Sequence, residues 1–283
     1  MDGDADGLRG AFAEAVGCRD EAIDLARAAL LIAQREYRGL DVGAYMARID
    51  GMADAIRSRL PRGARADRIT SEMNRYLFEE LGLKGNAADY YDPRNSFLND
   101  VIDRKLGIPI TLCILYMEVG RRLGVRLDGI SFPGHFLVKL RLPDGDLILD
   151  PYHRGMVLDE DALQRQIDEA LSPLPPAEER VQKWLVSATK RDVLARMLRN
   201  LKAIYTSAND LERALGAADW ILVATPDVPA EVRDRATLHD RLQHGPAALT
   251  DYVRYLKLAP DADDTDEVRA RVEQLRKSFG VLN

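Results

Sequence analysis

Only one stretch of this 283-residue chain, residues 126 to 150, leaves the helical spacing of apolar side chains for short runs suited to strands. Within it stand RLDGISF (126–132), HFLVKLRL (135–142) and GDLILD (145–150). Pro143-Asp144-Gly145 supplies a turn that makes the last two antiparallel neighbours. Strands are therefore expected only between about residues 125 and 155, with everything after Gln182 helical. One short strand block set among helices points to an α+β domain followed by an all-α region.

The segments before the strands carry helical periodicity. Leu25, Ala29 and Ile32, then Tyr45, Ile49, Met52, Ile56 and Leu60, mark a helical pair over 19–60 that Pro61 and Gly63 close. A third helix is expected over 67–81, with Ile69, Met73 and Leu77 on one face and Gly82 as its carboxyl-terminal cap. The turn-rich stretch NAADYYDPRNSFLND precedes another helix that starts at Pro109. After the strands, SPLPPAEER holds three prolines within four positions and reads as linker, assigned to 172–183. This divides the chain into a first part over 1–171 and a helical second part over 184–283.

Composition narrows the class. Hydrophobic residues at 46% and charged residues at 30% suit a globular chain rather than a disordered one. A net charge of −6 makes nucleic acid and anionic membrane poor partners. Five arginines crowd between Arg57 and Arg68, in what reads as a solvated helix end and loop rather than a phosphate patch. Two distant cysteines, Cys18 and Cys113, form no disulfide framework and suit a reducing compartment. An acidic amino terminus without a signal-peptide layout makes the cytoplasm the expected location, and no apolar run is long enough to span a bilayer.

In the second part a faint repeat is visible. Tyr205, Ala214 and Pro226 sit at offsets similar to those of tetratricopeptide repeats, and Ala248 and Pro260 repeat the alanine-to-proline step 34 residues later. Helical pairs with this much apolar face must stack, which makes a concave groove for a protein or peptide partner.

The chemistry-bearing residues concentrate around the strands. A helix opened by Gly-Ile-Pro and ending in Arg121, Leu123 and Gly124 is followed by a strand headed by His135 and a strand closed by Asp150-Pro151. In order and spacing this resembles the core of the transglutaminase-like (papain-like) superfamily. That resemblance implies a cysteine at the helix start, with the histidine and aspartate completing a catalytic triad. More narrowly, YYDPRNSFLND, GIPITL, FPGHFLVKL and LDPYHRG resemble the SirB-type proteins, in which a transglutaminase-like region precedes tetratricopeptide-like repeats.

The chain departs from the superfamily at the nucleophile. Counting back from Gly124 by the family spacing reaches Pro109, where a thiol would have been activated by the helix dipole and unpaired backbone N–H groups. Proline is comfortable in the first helical turn, so the helix start survives the loss. Cys113, one turn further on, lies on a stripe that reads as core-facing, and Thr111 reads as a first-turn capping residue.

Two leading functional readings follow. One is a non-catalytic or weakly catalytic transglutaminase-like protein that acts by protein or peptide recognition. The other is a thiol acyl-transfer enzyme in which Cys113 attacks an amide, His135 shuttles the proton and Asp150 orients His135. Either way, a hydrogen bond between Asp150 and a His135 ring nitrogen is expected. Tyr91, Arg94, Asn95 and Asn99 either close the loop over the Pro109 helix or line a cleft beside His135. No cofactor or metal is expected. A third reading, a metal-dependent hydrolase using His135, Asp150 and His153 as a two-histidine, one-carboxylate set, would need a convergence that spacing cannot establish.

Overall fold

The computed structural model describes the backbone of residues 2–172 and 181–278, so the proline-rich segment 173–180 lies outside the described residues. The chain falls into two compact units, Met1–Leu194 and Ala195–Asn283. The division falls inside the first long helix after the proline-rich segment.

The first unit is built around one helix. Five helices precede it or lead into it: α1 (Asp2–Val16), α2 (Leu25–Glu36), α3 (Val42–Arg57), α4 (Ala66–Asn74, continued as a π-helical turn to Glu80) and α5 (Leu98–Arg104). Aspartates cap α2 and α3: Asp24 accepts from the Arg27 N–H and Asp41 from the Ala44 N–H, each at 3.0 Å. Caps of this kind contribute about 1 kcal/mol each. Gly82, at φ +73°, follows the π-helical turn in the left-handed conformation expected of its cap.

The central helix, α6 (Pro109–Arg122), is buried along every residue from Pro109 to Gly120. Its sequence PITLCILYMEVG is apolar on all sides, as a helix enclosed by neighbours must be. Glu118 is the exception, and Arg121 (2.9 Å) and Arg122 (2.8 Å) pair with it. Helices α2, α3, α4 and α5 surround α6 together with the sheet.

That sheet is antiparallel, in the order β3 (Leu127–Phe132), β4 (His135–Leu140), β5 (Leu147–Asp150), β6 (Met156–Leu158). Phe132 faces His135 across the first hairpin, and Val138 faces Leu149 across the second. Ile130, Phe132, Leu137, Ile148 and Leu158 form a buried cluster with Leu163 and Ile167 of α7 (Glu160–Leu171).

The expected limits for strands need correction at two places. Strand β6 runs past residue 155 to Leu158, and a two-residue parallel pair, β1 (Lys84–Gly85) with β2 (Leu106–Gly107), lies well outside them. Pieces this short carry no period. Among the described residues beyond 184 the only pairing is a single bridge from Ser187 to Ile130.

In the second unit, α8 (Lys190–Ser207) leads into α9 (Leu211–Ala224), α10 (Pro229–Arg241), α11 (Gly245–Leu258) and α12 (Thr265–Ser278). Ala214 and Ala248, one repeat apart, are both completely enclosed, which lets neighbouring helices approach closely. Pro226 and Pro260 stand just after α9 and α11, where a helix cannot continue. Leu222, Val232, Ala236, Tyr252, Val268 and Val272 supply the core that these pairs share.

Candidate functional site

Asp150 closes β5 and also caps the short turn Pro151–His153 that follows it. Its Oδ1 accepts the backbone N–H groups of Tyr152 (3.0 Å) and His153 (3.3 Å). Its Oδ2 accepts two imidazoles: His135 Nε2 at 2.9 Å and His153 Nδ1 at 2.7 Å. The expected His135–Asp150 hydrogen bond is present, with a second histidine on the same oxygen. Burial alone would push the Asp150 carboxyl up. The hydrogen bond and charge of His135, and then those of His153, outweigh burial and hold it below the usual carboxylate range.

The rings pack around this carboxylate. Tyr152 stands edge-on to His135 (centroids 5.8 Å) and to His153 (5.2 Å), and burial followed by the Asp150 charge raises its phenol. Ligand atoms of His135, Asp150 and His153 all lie within 4.8 Å of one another. His153 is the accessible member: its side chain is 55% exposed, against 0% for Asp150. An open pocket of about 370 Å³ adjoins it, lined by Lys84, Gly85, Ala87, Tyr152, His153 and Arg154.

At the head of α6, Pro109 occupies the first helical position. The Thr111 hydroxyl accepts from the Ile108 N–H (3.2 Å) and donates to the Asn95 carbonyl (2.7 Å), a capping arrangement. Cys113 is completely enclosed, and its thiol approaches the Phe136 carbonyl at 3.4 Å, beside His135 in sequence on β4. A thiol in that position is a donor inside packed side chains and backbone, whereas a reactive thiolate wants an electropositive, partly open setting.

The polar loop before α6 divides into buried and exposed residues. Asn95 is fully enclosed: its Nδ2 donates to the Asp89 carbonyl (2.7 Å), and its Oδ1 accepts from Asn86 (3.0 Å). Asn99 is buried too, and its Oδ1 has no hydrogen-bond partner among the described residues. Arg94 pairs with buried Asp92 at 2.9 Å, as does Arg104 from α5. Burial would raise Asp92, but the hydrogen bonds and charge of Arg94, with the charge of Arg104, hold it low. Tyr91 is 76% exposed and leans edge-on against Tyr90. Of the four residues singled out for binding, Tyr91 and Arg94 thus reach solvent, while Asn95 and Asn99 sit inside the loop's own packing.

Two residues that the sequence did not single out hold the site in place. Asn74, in the last turn of α4, donates to the Gly155 carbonyl (3.1 Å) and accepts from the Tyr116 hydroxyl of α6 (2.8 Å). It thereby ties the turn after Asp150 to the central helix. A lone asparagine bonded 81 residues away leaves no local signal. Gly85 is the other: a Cβ there would come within 2.3 Å of the Tyr152 ring, so β1 approaches that ring only because it has no side chain. In the arginine-rich segment, Arg59 meets Glu80 (2.8 Å) and Arg65 meets Asp67 (3.5 Å), leaving no unbalanced patch at those two positions.

A buried helix with its start against a loop, a strand headed by histidine and a strand closed by the aspartate that binds it define a transglutaminase-like core. Residues 43–199 match the transglutaminase-like superfamily, and residues 201–273 match the tetratricopeptide repeat. A UPF0162 protein of Xylella fastidiosa is 41% identical over 256 residues, spanning 90% of this chain and 91% of the relative. A UPF0162 protein of Vibrio cholerae is 30% identical over 202 residues, 71% and 73% of the two chains. The human F-box only protein 21 is 41% identical over 71 residues, which is 25% of this chain and 11% of that protein. The chain therefore belongs to the transglutaminase-like superfamily and, within it, to the UPF0162 proteins.

Proposed function

We propose that this protein acts by recognising a protein or peptide partner through its helical repeats, and that its transglutaminase-like domain is non-catalytic or weakly catalytic. The observation that carries the second half is at the head of α6. The first helical position is proline, and the thiol one turn further in has no accessible surface. The first half is supported by the tetratricopeptide match, since such repeats generally mediate protein interactions. No described helix is long and apolar enough to cross a membrane, and the proposed setting is the cytoplasm. Domain order and the motifs around Pro109, His135 and Asp150 support placing the protein with the SirB-type group.

A thiol acyl-transfer reading has one observation in its favour. His135 presents Nε2 to Asp150, the relation in which a carboxylate orients a catalytic imidazole. Cys113 would then be the nucleophile, which requires its sulfur to be released from the Phe136 carbonyl and opened to substrate.

Crosslinking the full chain in its native cell, followed by mapping of the linked peptides, tests the recognition reading. Partner crosslinks should concentrate on exposed Lys257 and Lys277 in the repeats rather than on Lys84 and Lys105. Crosslinks confined to residues before 195 would contradict it.

A further inference from the structure

We propose that His135, Asp150 and His153 form a binding site for a first-row divalent transition-metal ion such as Zn²⁺. The sequence shows only three candidate ligands in a row. Their convergence on one point is visible in the fold alone: both ring nitrogens meet the same carboxylate oxygen, at 2.9 and 2.7 Å. Metal–ligand bonds of about 2.0–2.2 Å put neighbouring donor atoms roughly 2.8–3.5 Å apart. The three donor atoms lie within 4.8 Å of one another, so admitting an ion asks the two imidazoles to close by up to roughly 1–2 Å between them.

The support of the carboxylate is also in place. Oδ1 of Asp150 is held by two backbone N–H groups, which fixes the carboxylate and leaves Oδ2 directed at the imidazoles. Two imidazoles and one carboxylate are the donor set of facial triads that leave coordination positions open. Half-exposed His153 is the one ligand that also lines the pocket, so an ion would enter from its side. Lys84 and Arg154 line the same pocket, and their positive charge opposes a cation. Binding weaker than that of a closed structural zinc site is therefore expected. The site stands independently of any partner docked on the repeats.

The test uses the full chain, stripped with chelator and then titrated with Zn²⁺ by calorimetry, and with Co²⁺ by visible absorption. The chain has four histidines, so the control is clean. His239 and His244 lie 3.4 Å apart in the second unit and are the other place where two imidazoles meet. Wild type should bind one equivalent. His153→Ala, at a half-exposed position, should bind at least about tenfold more weakly. His135→Ala/His153→Ala should lose the site, and His239→Ala/His244→Ala should bind as wild type. Failure of wild type to saturate, or a His153→Ala variant that binds Zn²⁺ as wild type does, would overturn the proposal.

Discussion

Four hydrogen bonds end on the two oxygens of Asp150, a residue with no exposed surface. Removing the carboxylate leaves two imidazoles and two backbone N–H groups without their acceptor. Asp150→Ala should therefore cost roughly 1–3 kcal/mol of stability. Asp144 lies in the exposed turn between β4 and β5, and Asp144→Ala should stay within about 0.5 kcal/mol. Melting temperatures of the two variants, measured side by side, check the difference, and equal values would remove the structural weight placed on Asp150. The histidine–aspartate pair was legible in the sequence because a strand–turn–strand unit brings its two ends together. The role of Asn74 was not, because it depends on contacts to Gly155 and Tyr116 that no spacing rule reaches.

Elements show where periodicity helps and where it stops. Strands expected at 126–132, 135–142 and 145–150 fall at Leu127–Phe132, His135–Leu140 and Leu147–Asp150. Strand β6 has three residues and leaves Met156 and Val157 exposed, so it lacks the alternation that reveals a half-buried strand. Helix α7 carries a sequence signal too: Leu163 and Ile167 recur at helical spacing behind the cap Asp159. The turn after β5 gives a sharper test. Gly155 has φ +72°, and a Cβ there would come within 2.2 Å of the Asn74 amide. Gly155→Ala combines backbone strain with overpacking, so a loss of about 1–3 kcal/mol is expected, read as a lower melting temperature.

In the repeats, Glu231 of α10 is buried against Lys202 (2.7 Å) and Arg199 of α8. Burial would raise its carboxyl, but the hydrogen bonds of Lys202 and Arg199 hold it below its usual value. A depressed folded-state value means stability that is full above the unfolded value of about 4.3 and lost as pH falls through the folded one. Glu231→Gln should therefore melt below wild type at pH 7, by an amount toward the low end of roughly 3–5 kcal/mol because Arg199 is partly exposed. The gap should close as pH falls below about 4. A gap that widens on acidification would contradict the assignment.

For the whole molecule, the order of parts was readable from one change of period and one proline-rich segment, and the matches at 43–199 and 201–273 follow that order. The loss of the thiol at Pro109 was readable as well; less legible was whether Cys113 could replace it, because burial and neighbours, not spacing, decide that. Site-resolved thiol labelling of the native full chain at neutral pH reads that chemistry directly. Exposed Cys18 serves as the internal standard for enclosed Cys113. We expect Cys18 to label promptly and Cys113 to label only on denaturation, with Cys113→Ser leaving partner capture unchanged. Rapid modification of Cys113 in the folded protein, abolished by His135→Ala, would instead establish a histidine-activated thiolate and contradict the non-catalytic reading of the transglutaminase-like domain.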